Sequence, residues 1–315
     1  MEKQKMGRKD KKPYLRKRIL YFCGRIWARF AIRLAKWLPL KYLYFVAGIF
    51  GEIGFHLMRK RKQIAYHNLQ IAFGNSKTKS ECDEIVKTIF RDIAKNVLEV
   101  AKLIYTDPAF LRELISIDGL EYLDNALSQG KGVVALSAHM GNFPIIGPRL
   151  TLEGYRFNLI LRNPKDKILA KTLSDIRIRL GLDSIPDKPR RMCAAKSLAS
   201  LKKNSILYLQ IDQNASSQDL WVDFFGWLVP TFRGPVVFSF RTGAPILPMF
   251  IIRDASNHHK LIIKPPFKLI ITENREDDIL QNTAKLTKLI EAYIKQYPSQ
   301  WWWLHRRWKK AKKDN

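Results

Sequence analysis

The sequence predicts an α/β fold: a mixed, largely parallel sheet flanked by helices over residues 63–315, preceded by a basic, amphipathic and hydrophobic helical region over residues 1–62. Three observations carry this reading. Short apolar runs alternate with helix-period segments from residue 132 to 296, the pattern of strands joined by helical crossovers. Hydrophobic residues make up 46% of the 315, with only 15 Pro and 16 Gly, so a packed core is expected rather than a disordered chain. The net charge of +28 is uneven, because residues 1–62 carry 18 basic side chains against 3 acidic ones.

The first element is "LRKRILYFCGRIWARFAIRLAKWL", residues 15–38. Ile19, Phe22, Ile26, Phe30, Leu34 and Trp37 recur at helical spacing beside Arg18, Arg25, Arg29, Arg33 and Lys36. Such a helix suits an anionic membrane surface, with its apolar face in the acyl boundary and its guanidinium groups at lipid phosphates. Packing on its own domain with a solvated basic edge is the alternative. In the next segment the clean apolar run, Tyr42 to Gly51, is ten residues. A spanning helix needs roughly 20, so a membrane-embedded or re-entrant hairpin is expected rather than a transmembrane span. No signal-peptide cleavage pattern is present. Arg59, Lys60, Arg61 and Lys62 place the following domain on the cytoplasmic side by the positive-inside tendency.

Residues 64–116 are helical in pattern, with an N-cap at Ser76 or Thr78 and a break at Asp107-Pro108. Five strands follow: "GVVALS" (132–137), "FNLIL" (157–161), "SILYLQI" (205–211), "PILPMFII" (245–252) and "KLIIKPPFKLII" (260–271). Helices are expected near 143–153, 166–180, 190–203, 234–242 and 277–296. Cys23, Cys82 and Cys193 lack metal or redox spacing, and there is no glycine-rich nucleotide loop. No disulfide framework, metal or cofactor is therefore expected, and the compartment reads as reducing.

In open α/β sheets reactive groups gather beyond the carboxyl ends of strands. His139, Arg162 and Asp212 each stand just past such an end, with the polar Asn163, Gln213 and Asn214 beside them. Each alone has a plain structural reading: a histidine bonded to a carbonyl, a surface arginine, a turn-capping aspartate. Together they point to a polar cleft. The basic surplus fits nucleic acid, an anionic membrane or an acidic protein, and the aromatics beside the N-terminal arginines favour membrane over nucleic acid.

The ordered set "SAHMGNF", "RNPKD", "LQIDQN", "VDFFG", "PTFRGPVVFSFRTGAPILP" and "YPSQWWWLHRRWK" resembles the late acyltransferases of lipid A biosynthesis, the lauroyl and myristoyl transferase family of the lysophospholipid-acyltransferase-like superfamily. "RKRKQIAYHNLQIAFG" also looks like that family. The resemblance implies transfer of a fatty acyl group from acyl carrier protein to a hydroxyl of a phosphorylated glycolipid, on the cytoplasmic face of the inner membrane. It implies His139 as general base, with Asp212 and Gln213 matching an Asp-Gln pair that shapes the cleft. Arg162, Asn163, Asn142, Gln213, Arg233 and Gly234 are the substrate-binding candidates, Gly234 because a Gly-Pro helix start offers free N–H groups to an anion.

One position departs from the pattern. The family places Asp or Glu five residues after the histidine, and here that slot is Pro144, a residue suited to a first helical turn after Asn142. Three explanations stand: another acid orients His139, with Asp212 ahead of Asp166 and Glu153; a backbone carbonyl suffices; or the protein is an idle member that binds lipid or carrier. In "YPSQWWWLHRRWKK" the tryptophans read either as an interfacial belt, with Arg306, Arg307, Lys309 and Lys310 on headgroups or carrier protein, or as core cover. His305 reads as structural, and His258 and His259 as turn residues without chemistry. A lysophosphatidic-acid-type acyltransferase and a non-enzymatic basic adaptor are the competing classes; the first lacks its phosphate-binding motif here, and the second leaves the cluster at strand ends unexplained.

Overall fold

The computed structural model describes residues 26, 30, 32–104, 106–164 and 166–313; most of the helix expected over 15–38 lies outside these. The first complete helix, α1 (Leu40–Leu57), is apolar on two faces. Leu43, Ala47, Gly51 and Phe55, spaced by four, are buried against α3 (Lys79–Lys102). A Cβ at Gly51 would lie 2.5 Å from the Arg91 Cα, so only glycine allows this approach. On the opposite face Tyr42, Phe45, Ile49, Ile53 and Leu57 are exposed, Phe45 by 71% and Leu57 by 76%. No described helix is long and apolar enough to cross a membrane.

Helix α2 (Arg59–Phe73) runs through residue 62 without a break, and α3 opens on Thr78 with a reciprocal cap to Glu81. After the break at Asp107-Pro108 the short α4 (Phe110–Leu114) leads into β1 (Ile115–Asp118). The expected helical stretch to 116 therefore ends in a strand: "ISID" has the alternation of an edge strand but is too short to show it.

The main sheet has seven strands in the order β1-β9-β8-β2-β5-β3-β4, where β2 is Val133–Ser137, β3 Phe157–Leu161, β4 Leu182–Pro186, β5 Ile206–Gln210, β8 Ile246–Arg253 and β9 His259–Ile263. Every neighbouring pair is parallel except β8 and β9. All residues of β2 and β8 are buried, which is why both read as unbroken apolar runs. Apolar clusters cover the two faces, one with Leu136, Phe250 and Trp303, the other with Ala135, Ile206 and Leu247. The expected strand over 260–271 stops at Ile263, because Pro265 and Pro266 have no N–H for a ladder. Crossover helices are α5 (Leu120–Leu127), α6 (Ile146–Thr151), α7 (Lys167–Arg179), α8 (Arg190–Lys202) and α9 (Gly234–Thr242); α10 (Arg275–Gln296) packs last. A small second sheet joins β6 (Leu220–Asp223), β7 (Trp227–Thr231) and β10 (Lys312–Lys313).

The connectivity fixes the site. From β2 the chain crosses to β3, goes out to edge strand β4 and returns as β5 between β2 and β3. Neighbouring strands β2 and β5 thus send their following loops apart, opening a crevice at their carboxyl ends.

Candidate active site

Ser137 and Gln210 are register partners at the ends of β2 and β5, so two residues further on His139 and Asp212 face each other. Asp212 is 2% exposed and takes three N–H donors. His139 Nδ1 lies 2.9 Å from Oδ1, while the His139 backbone N–H, at 2.8 Å, and Trp301 Nε1, at 2.7 Å, both donate to Oδ2. Burial alone would raise the Asp212 carboxyl, but the His139 ring and these donors outweigh it and hold it below the ordinary range. An ionised carboxylate only accepts, so Nδ1 carries a proton, and in the neutral ring Nε2 keeps its lone pair. Nε2 has no partner among the described residues. The ring meets Phe143 edge-on at 4.9 Å and borders a recess of about 20 Å³ between α3 and residues 299–302, room for one water.

The turn after His139 is forced by its surroundings. Gly141 has φ +55° and its position sits against Ile251, where a Cβ would come within 2.2 Å of the carbonyl oxygen. Gly141 N–H donates to the Gln300 carbonyl, Trp302 N–H to the His139 carbonyl, and Asn96 Nδ2 to the Gly141 carbonyl. Pro144 occupies the first turn of a 3₁₀ helix, Phe143–Ile145. The other acids weighed for His139 are engaged elsewhere: Glu153 holds Arg149 and Arg112, and Asp166 caps α7 through Leu169 N–H.

Beneath the loop lies a buried charge network. Glu99, with no exposed surface, accepts from Tyr44 (2.7 Å), Asn142 (2.6 Å) and Arg253 (2.6 Å), and contacts His259 at 3.0 Å. Burial would raise the Glu99 carboxyl, but His259 and Arg253 hold it down at about 2. Two expectations are corrected here. Asn142 is not a substrate-binding residue of an open cleft: it is fully buried, makes no side-chain cap, and donates to Glu99. His259 is not a free turn residue but the first residue of β9, buried against Glu99.

No hydrogen bond joins the remaining candidates to the imidazole. Arg162 follows β3 at the same end of the sheet, 73% exposed and held by Asp187 through one carboxylate oxygen. Asn163 is exposed and accepts from Arg177, and Arg233 is exposed, 3.4 Å from Glu276. Gly234 begins α9, which runs against β8 and so starts at the carboxyl end of the sheet. Gln213 is half-buried, and its carbonyl accepts from Arg307. Arg307 itself is fully buried on the Gln213 and Pro230 carbonyls and Thr231, so it is no headgroup contact. Trp301 and Trp303 are buried as well, which makes them core cover rather than a belt. The role of Trp301 as an Asp212 donor had only a generic signal: a buried indole needs an acceptor.

A largely parallel sheet carrying a buried aspartate behind a histidine at a switch point defines an acid–base site on an α/β fold. The chain belongs to the bacterial lipid A biosynthesis acyltransferases, whose family model matches residues 10–310, and it is an acyltransferase. It is similar to the lipid A biosynthesis palmitoleoyltransferase of Escherichia coli K12, 24% identical over 275 residues covering 86% of each chain. The phosphatidylinositol mannoside acyltransferase of Mycolicibacterium smegmatis is 22% identical over 230 residues, 72% of this chain and 73% of that one. Among solved structures, the 1-acyl-sn-glycerophosphate acyltransferase PlsC of Thermotoga maritima matches with a TM-score of 0.39 and 12% identity, over 84% of this chain and 99% of that one.

Proposed function

We propose that the protein moves a fatty acyl group from acyl carrier protein to a hydroxyl of a phosphorylated glycolipid, a lipid A precursor, at the cytoplasmic face of the inner membrane. The observation that carries this is the His139–Asp212 pair, which leaves Nε2 unpartnered in a chain of this family. His139 Nε2 takes the hydroxyl proton as the oxygen attacks the thioester carbonyl. Collapse of the tetrahedral intermediate breaks the C–S bond, and the imidazolium returns the proton to the departing thiolate, so no net proton is consumed. Asp212 positions the ring and stabilises its protonated form, as the acid of a Ser-His-Asp triad does. Arg162, Asn163 and Arg233 line the same end of the sheet and suit the acceptor phosphates, and the N–H groups at Gly234 suit an anion of the same kind.

The exposed apolar stripe on α1, followed by Arg59, Lys60, Arg61 and Lys62, supports a membrane-surface location in which the helix lies in the interface. The acceptor has a second reading, another glycolipid, favoured by the matched phosphatidylinositol mannoside acyltransferases.

The test is transfer of a labelled acyl chain from acyl carrier protein by detergent-purified protein, offered a lipid A precursor or phosphatidylinositol mannoside. Product on the first acceptor, lost by about 10²–10⁴-fold in His139→Ala, supports the proposal. Product on the second alone replaces the acceptor, and an inert wild type on both overturns the reaction.

A further inference from the structure

A groove of about 490 Å³ lies between α2 and the chain after Trp303 and shares no lining residue with the recess beside His139. Lys60 and His67 reach it from one face of α2, two turns or about 10 Å apart along the axis, and Arg306 and Lys309 from the other wall. All four are exposed, none has an ion-pair partner among the described residues, and no carboxylate lines the groove. The walls are clipped together: Asn68 Nδ2 donates to the Trp303 and His305 carbonyls, both at 2.7 Å, and Arg61 donates to the Leu304 carbonyl. Trp308, 6% exposed, also lines it. Four donors thus line one braced, concave frame, unlike charge scattered over a surface. The volume falls within the roughly 300–1,000 Å³ of small-molecule pockets.

Its place in the fold selects the anion. Arg59 and Lys60 directly follow Leu57 and Met58, the exposed apolar end of α1, so this mouth stands where an interfacial helix would meet headgroups. We infer that the groove binds the phosphate of an anionic lipid headgroup, at a site separate from the acyl-transfer centre. The inference rests on the proposed membrane-surface location of α1 but not on the proposed reaction, and its test needs no turnover.

The full-length protein is titrated with phosphatidylcholine vesicles, with and without phosphatidic acid. It is compared with a groove variant, Lys60→Gln with Arg306→Gln and Lys309→Gln, and a control that removes as much charge from α8 and the residue that caps it, Lys196→Gln with Lys202→Gln and Lys203→Gln. Phosphatidic acid should strengthen wild-type binding, and the groove variant should lose at least about tenfold of that gain while the control loses about twofold or less. Inorganic phosphate identifies the source: if it competes at millimolar levels the phosphate group alone suffices, and if it does not the lipid context is required, either result supporting the site. Equal losses in the two variants would reduce the effect to diffuse charge and overturn the inference. So would a groove variant that keeps the phosphatidic acid gain but loses binding to acidic acyl carrier protein.

Discussion

Asp212 meets three N–H donors with two oxygens, and that saturation decides what a substitution there does. Asparagine offers one acceptor oxygen and turns an NH₂ toward a donor. If the amide nitrogen faces Nδ1, the imidazole takes its proton on Nε2 and ceases to be a base. Asp212→Asn should therefore lower kcat by about 10³–10⁴-fold with little change in KM, read from steady-state transfer kinetics. Pro144→Glu addresses the family's missing acid from the other direction. Because Nδ1 is already bonded to Asp212, a second carboxylate has no proton to accept there, and kcat should stay within about threefold of wild type. A large gain would mean that the Asp212 bond is not the working one. Asp212 was legible from the sequence as an acid after a strand. Its third donor was not, since Trp301 stands 89 residues away and nothing local marks the contact.

Helices and strands were legible where their apolar period was complete. Residues 157–161 and 234–242 match the expected strand and helix end to end, since each runs between clear breakers. Strand β4, "LDSIP", was missed because an edge strand with exposed middle residues lacks an apolar run. The Glu99 network was equally hidden: it draws on α1, α3, β8 and β9, which only the tertiary fold brings together. Helix α1 shows what the period alone conceals, because its two apolar faces differ in partner. The buried face is committed to α3, so the exposed one is open to change without loss of packing. Phe45→Glu with Ile49→Glu should lower partitioning onto phosphatidylcholine vesicles by at least about tenfold, since each side chain is worth about 1.5–3 kcal/mol when buried. Sedimentation with vesicles measures this, and an unchanged melting temperature should accompany it. Loss of fold in the double variant would show that the stripe faces protein instead.

Over the whole molecule, stability should track the buried groups rather than the net charge of +28. His305 is pushed by burial from its ordinary 6.5 to about 4, against the pull of Asp212. Its folded value is the lower, so between these two pH values the unfolded chain binds the extra proton and stability falls as pH falls. Glu99 lies the same way round, held by His259 and Arg253 against burial at about 2 from an ordinary 4.5. Its contribution is present above the ordinary carboxylate range and is lost as pH drops from about 4.5 toward 2. Asp212, also depressed, adds to the same acid limb. Thermal midpoints should therefore be flat near neutrality, decline from about pH 6.5, and decline more steeply below about 4.5. Glu99→Gln separates the contributions. It leaves the Arg253 guanidinium buried without its main carboxylate, so it should cost about 3–5 kcal/mol at neutral pH. Having no carboxyl to titrate at that position, the variant should also lose much of the steep limb while keeping the shallower decline set by His305. A wild-type-like slope below pH 4.5 in Glu99→Gln would mean that other carboxylates govern acid unfolding, and that the network ties α1 to the His139 loop without storing the pH dependence.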